Sequence, residues 1–185
     1  MRITLTSAAG PRSATRWRDA EPTSSIDRPV GLHDRYEARV VLLPGEDGRK
    51  AFDRVRDRLF RYDVFPPAVM AFSILPPGEV AGDALIVQRF GLGPPRLEFA
   101  VRVVEAWHRH AAGAADAGFT YVTLNGHPER GTESFRVQLG SDGRVVVTIE
   151  AWSEPATALV SFARPLARMI QVAVTRAALR RLSEP

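Results

Sequence analysis

The feature that most constrains this chain is a change of hydrophobic period along its length. Between Glu79 and Trp152 apolar residues recur at every second position, in short runs separated by turn residues. From Pro155 to Leu182 they recur at three- and four-residue spacing. A period of two puts apolar side chains on one face of a strand, and a period near 3.6 puts them on one stripe of a helix. The order therefore predicts an antiparallel meander followed by one long amphipathic helix, each able to cover the apolar face of the other. The runs are Ala84 to Phe90, Leu97 to Trp107, Phe119 to Leu124, Glu133 to Leu139 and Val145 to Ile149. In the second, Leu97, Phe99, Val101, Val103 and Trp107 share one parity, and Glu98, Arg102 and His108 take the other. The last two runs read as a hairpin turned by Ser141-Asp142-Gly143, with Phe135, Val137 and Leu139 facing the same way.

Upstream, Ala38 to Leu43 reads as a strand ended by Pro44-Gly45. A helix follows, opened by Glu46 and Asp47, with Phe52, Val55, Leu59 and Tyr62 on one stripe. Ala68 to Pro77 fits either period. Residues 1 to 35 hold Pro11, Pro22, Pro29, Gly10 and Gly31 and no sustained apolar period, which predicts an irregular arm before a single domain over residues 36 to 185. In the final helix Leu159, Phe162, Leu166, Met169, Ile170 and Ala173 form the expected inner stripe. Arg164, Arg168, Arg176 and Arg180 form an outer basic face, and Pro165 suits the first turn. The predicted fold class is α+β: a helix-grip arrangement, in which a curved antiparallel sheet wraps around the long C-terminal helix.

Composition narrows the function. A chain of 185 residues, 45% apolar and 25% charged, has enough core to stand without a metal or disulfide staple. The absence of Cys excludes thiol nucleophiles, thiolate metal sites and a disulfide framework, and it fits a cytoplasmic location. No apolar run reaches the length of a membrane span, and Met1 to Pro22 lacks the apolar centre of a secretory signal. The net charge of +4 is carried by Arg, with Lys50 the only lysine. Its interleaving with acids, as in Asp53-Arg54-Val55-Arg56-Asp57-Arg58, describes a self-paired helix face and not a nucleic-acid footprint. Gly91-Leu92-Gly93-Pro94-Pro95 has no helix after it to make a dinucleotide loop, and Ser141 has no nucleophile-elbow spacing. His108, His110 and Glu105 match no known ligand spacing. Neither a metal nor a cofactor is expected.

Parity does offer one polar constellation. Phe119, Tyr121 and Thr123 share a face, as do Glu133, Phe135, Val137 and Leu139 on the next strand. With the Phe-bearing face concave, Tyr121, Thr123 and Glu133 point between sheet and helix, where a carboxylate acquires a raised pKa and can act as general acid or base. His127 and Glu129, in the joining turn, stand at the mouth. The candidate catalytic residues are His127, Glu129 and Glu133. The candidate ligand contacts are Tyr121, Thr123, Phe135, Phe162, Leu166, Met169 and Ile170. The same residues admit a structural account: Asn125-Gly126-His127-Pro128 is a turn sequence, Glu133 can pair with Arg130 or Arg136, and Tyr121 can be core.

The stretch from Gly118 through Asn125-Gly126-His127-Pro128-Glu129, Gly131, Glu133 and Phe135 resembles the signature of DUF1990, an uncharacterised family of bacterial and plant proteins. The likeness continues through Asp142-Gly143-Arg144-Val145, Ile149-Glu150-Ala151-Trp152-Ser153-Glu154-Pro155 and the helix from Arg164-Pro165-Leu166 to Arg181, covering roughly residues 36 to 185. That family in turn is similar to the START and birch-pollen-allergen superfamily of helix-grip proteins, which hold apolar ligands between sheet and helix and some of which catalyse cyclisation or hydrolysis there. The resemblance implies binding of a small apolar or amphipathic molecule in such a cavity. An acid–base enzyme of cyclase, dehydratase or isomerase type, acting on a natural-product or lipid-like substrate, is the alternative. A protein-interaction domain using the basic helix face is the second alternative.

Overall fold

The computed structural model describes residues 2–4, 11–91, 96–156 and 164–184. The elements in chain order are β1 (Arg2–Thr4), α1 (Pro11–Arg18), β2 (Leu32–Arg39), α2 (Gly48–Phe60), β3 (Met70–Leu75), β4 (Leu85–Phe90), β5 (Arg96–Ala111), β6 (Ala114–Thr123), β7 (Glu129–Leu139), β8 (Val145–Pro155) and α3 (Arg164–Ser183). Seven strands hydrogen-bond in the order β2-β8-β7-β6-β5-β4-β3, every neighbouring pair antiparallel, and β1 adds alongside the start of β5. Helices α2 and α3 lie on one face: α2 crosses β6 and β7, while α3 runs over β2 and β8. This is the helix-grip fold that the change of period predicts.

Local chemistry explains the framework. Asp47 caps α2, its carboxylate accepting from the Lys50 N–H at 2.8 Å, and the Phe52, Val55 and Leu59 stripe is fully buried against the sheet. Gly143 takes φ +77° in the tight turn between β7 and β8, a conformation that costs glycine nothing. Beneath α2 the core is solid: Phe119, Phe135, Val137, Val147 and Ile149 are inaccessible. The segment Ala68 to Pro77, open between two periods in the sequence, supplies the edge strand β3.

Strand β5 departs from simple alternation. Its register on β6 shifts between Val103 and Glu105, so one extra residue, Val104, enters the strand as a bulge. Side-chain parity reverses from there on. Trp107, expected on the face of Phe99 and Val103, instead opposes Gly118 on the convex side, beneath the Arg109 guanidinium at 5.9 Å. His108 takes the concave side and stacks on Phe52 at 6.2 Å. Among the described residues no group of three His, Asp or Glu is placed to hold a metal ion.

The first 35 residues are not irregular throughout. They contribute α1 and the start of β2 as well as β1. Trp17 is 1% exposed, sealed with Leu85, Val87, Ala100 and Leu124 into a second, smaller core on the convex face of β4 and β5. Beyond α1, Thr23 donates its N–H to the Thr123 carbonyl at 2.9 Å, and the Ser24 hydroxyl donates to the Gly131 carbonyl at 2.8 Å. A single large aromatic anchors this segment, too sparse a signal for periodicity to register.

Helix α3 begins within a residue of its expected start, but its buried stripe differs from the expected one. Ala178 and Leu182 are inaccessible and Thr175 is buried, whereas Met169 is 62% and Ile170 38% exposed and Ala173 is exposed. Arg168, assigned to the outer basic face, turns inward and pairs with both carboxylate oxygens of Asp34 on β2. Only the second half of α3 has the apolar core directly beneath it. Phe162 and Leu159 lie outside the described residues, as does the side chain of Leu166. Among the described residues no helix is long and apolar enough to cross a membrane.

Candidate functional site

Under the first half of α3 the sheet and helices enclose a cavity of about 390 Å³. Its wall is built from the inward parities of β4 to β8 and closed by Ile170, Gln171, Val174 and Thr175 of α3. Of the residues expected there, Tyr121, Thr123, His127, Glu129, Glu133 and Ile170 line it. Phe135 sits one layer deeper, stacked on Phe119 at 5.2 Å and beside Tyr121 at 5.8 Å, so it supports the wall without reaching the space. Met169 points to solvent and is not part of the lining.

Glu133 is the chemical centre of the wall. The β6–β7 register sets it directly opposite Tyr121, and the Tyr121 hydroxyl donates to Oε2 of Glu133. Tyr121 is hydrogen-bonded in turn to the Tyr62 hydroxyl, which accepts from the Gln88 amide. Gln88 is 2% exposed and Tyr62 is inaccessible, so these four groups make a continuous polar chain through an otherwise apolar interior. Tyr62 follows the end of α2 with φ +57°, a left-handed conformation unusual for a bulky aromatic, which turns its ring back into the core. Burial pushes the Glu133 carboxyl up to about 7; the Tyr121 hydrogen bond opposes the shift and the nearby Glu129 charge adds to it. Burial and the same carboxylate raise both tyrosines well above their usual range, which keeps their hydroxyls as donors.

His127 and Glu129 close one end. Nδ1 of His127 lies 2.9 Å from the Glu129 carbonyl oxygen and 3.0 Å from the Glu129 N–H, so the ring is tied to its own turn through that nitrogen. Burial holds this imidazole down to about 3, and Phe99 meets it edge-on at 4.5 Å. A neutral histidine bonded to its own turn is a poor base. Glu129 is raised by burial, with Arg168 and a Ser153 hydrogen bond pulling it back. Gln171 of α3 donates to Glu129 Oε2 at 3.3 Å and to the Ser153 hydroxyl at 3.0 Å, joining the helix to β7 and β8 at the mouth. Thr123 bonds the Gly131 backbone, accepting its N–H at 2.9 Å, and so fastens the strand ends. Gly131 has no room for a side chain: a Cβ there would lie 1.9 Å from the Trp152 carbonyl oxygen.

Periodicity missed Gln88, Tyr62, Gln171 and Thr175. Gln88 is hidden in the apolar run Leu85 to Phe90, and its signal was being the one amide in a strand whose other residues on that face, Ile86 and Phe90, are apolar. Tyr62 was legible as core but not as a hydroxyl donor.

The sequence matches the family described as a domain of unknown function (DUF1990) over residues 19–181. No curated protein sequence matches the chain. A hypothetical protein from Helicobacter pylori superposes with a TM-score of 0.53 at 12% identity, covering 99% of this chain and 98% of the other. A protein from Thermobifida fusca does so with a TM-score of 0.50 at 19% identity, covering 82% and 90%. Ara h 8.0201 gives a TM-score of 0.47 at 11% identity, covering 82% and 97%. At these identities the likeness is one of fold.

Proposed function

The chain belongs to the DUF1990 family, and from that premise and the geometry of its cavity we propose that it binds a small, largely apolar molecule between the sheet and the first half of α3. The observation that carries this reading is the cavity itself. Its 390 Å³ lies within the range of small-molecule sites, and its mostly apolar wall bears a few convergent polar groups. The contrast within α3 supports it: the half that meets the core is buried, and the half over the cavity holds polar Gln171 and Thr175 towards the space. Native mass spectrometry of the purified protein, followed by denaturation and identification of anything released, tests it. A stoichiometric apolar adduct supports the reading. A clean mass, with no uptake of small apolar compounds on titration, rejects it.

One observation favours a second reading, acid–base catalysis in the same space. Glu133, at about 7, exchanges a proton readily near neutral pH, and the tyrosine chain behind it orients the carboxyl. Glu133 would be the proton carrier for an isomerisation, dehydration or cyclisation, with Glu129 modulating its charge and His127 lining the space as a neutral ring. On this reading Glu133→Gln abolishes turnover while ligand affinity stays within a few fold.

A further inference from the structure

The charged groups on the cavity wall are all of one sign. Among the described residues the lining contains Glu129 and Glu133 and no Lys or Arg. Residues 92–95 and 157–163, outside the described set, contain no basic residue in their sequence. The guanidinium of Arg168, which acts on Glu129 from α3, is engaged by both oxygens of Asp34. Tyr121 donates to Oε2 of Glu133, and no described group hydrogen-bonds its Oε1. The Phe99 side chain lines the same space.

This arrangement discriminates by charge. Folding has already withdrawn Glu133 from bulk water, so an arriving cation meets a carboxylate whose desolvation is complete, and only the cation's own hydration is lost. Aromatic faces add a further attraction for ammonium groups. An anionic ligand would face two carboxylates with no cationic side chain among the described lining residues to offset them. Resting on the ligand-binding reading above, we infer that the cavity selects apolar molecules bearing a basic amine, with the ammonium against Glu133 and Glu129 and the hydrocarbon body along Phe90, Leu97 and Phe99. The groups facing Glu133 are compatible with this. Tyr121 of β6 and Tyr62 beyond α2 supply neutral hydroxyls, His127 is a neutral ring, and the Arg168–Asp34 pair from α3 and β2 carries no net charge. Ion pairing requires an ionised Glu133, so amine affinity rises with pH as that carboxyl loses its proton near 7.

Titration calorimetry with hexylamine, hexanol and hexanoate, three probes of one chain length, separates charge from apolar fit. At about pH 8 the wild-type protein is expected to bind hexylamine about ten-fold tighter than hexanol, as one charge-assisted hydrogen bond implies, with hexanoate weakest. Glu133→Gln should bring hexylamine to the level of hexanol and leave hexanol within about two-fold, since only charge is removed. If hexanol binds as tightly as hexylamine, the amine inference fails while the apolar-ligand reading survives. If none of the three binds, that reading fails and the inference falls with it. Should Glu133→Gln not fold, the wild-type protein decides: the advantage of the amine must shrink on moving to about pH 5, and an unchanged advantage overturns the inference.

Discussion

Two buried glutamates on opposite faces of the same sheet show how differently one side chain can be housed. On the convex face Glu98, 3% exposed, accepts from Arg89 Nε at 3.1 Å and from Trp17 Nε1 at 3.3 Å beneath α1. On the concave face Glu133 meets only a tyrosine hydroxyl and a second carboxylate. The first is a closed arrangement in which each charge answers another, and its role is complete once the chain has folded. The second leaves negative charge unanswered beside an open cavity. Buried carboxylates with a cationic partner are compatible with pure architecture; one without such a partner, facing a space, needs a reason beyond folding.

The sharpest break of this comparison comes from removing one partner of the convex pair. Glu98→Gln should remove the negative charge beside Arg89, which is wholly inaccessible, and cost about 3–5 kcal/mol in urea unfolding. A loss below about 1 kcal/mol would mean that the pair is not a closed unit. Glu133→Gln should act in the opposite direction. The folded-state pKa, about 7, lies above the ordinary 4.5, so the proton-linked stability of the wild type is complete below 4.5 and is lost as pH rises through about 7. Glutamine does not titrate. The variant should therefore gain on the wild type, by on the order of 2 kcal/mol between about pH 4.5 and 8, in denaturation series at both values. A gain that grows towards acid would contradict the assignment. Trp17→Phe deletes the hydrogen bond to Glu98 and leaves a small void where the five-membered ring was, for an expected loss of about 2 kcal/mol by thermal denaturation. Smallest of all, Ile170→Ala on the cavity side of α3 should change stability by about 0.5 kcal/mol, because that side chain is already 38% exposed. A loss several times larger would show that the first half of α3 is packed as tightly as the second.

The fold was legible where one face of an element meets one uniform environment. Phe135, Val137 and Leu139 alternate because β7 separates a dry side from a wet one, and that alternation also placed Glu133 correctly on the concave face. Legibility failed where that uniformity ends. In α3 the helix leaves the core to cross the cavity, so Met169 and Ile170 carry the spacing of an inner stripe without the burial of one. The convex core under α1 rests on Trp17, an aromatic in a segment otherwise rich in Arg, Pro and Ser, and no period marks it. The polar chain behind Glu133 is tertiary: Gln88, Tyr62 and Tyr121 come from β4, the turn after α2 and β6, and only the packing of α2 on the sheet brings them together.

The bulge at Val104 bears on how relatives of this chain should be compared. A homologue lacking that one residue would run through the strand in plain alternation and keep the pairing of Glu105 to Ala111 on β6, and hence their faces. A gap placed beyond His108 would instead set both Trp107 and His108 against residues of the opposite face. Between the bulge and a misplaced gap every substitution would carry the opposite meaning, so an alignment through β5 has to be settled by parity before any position in it is scored.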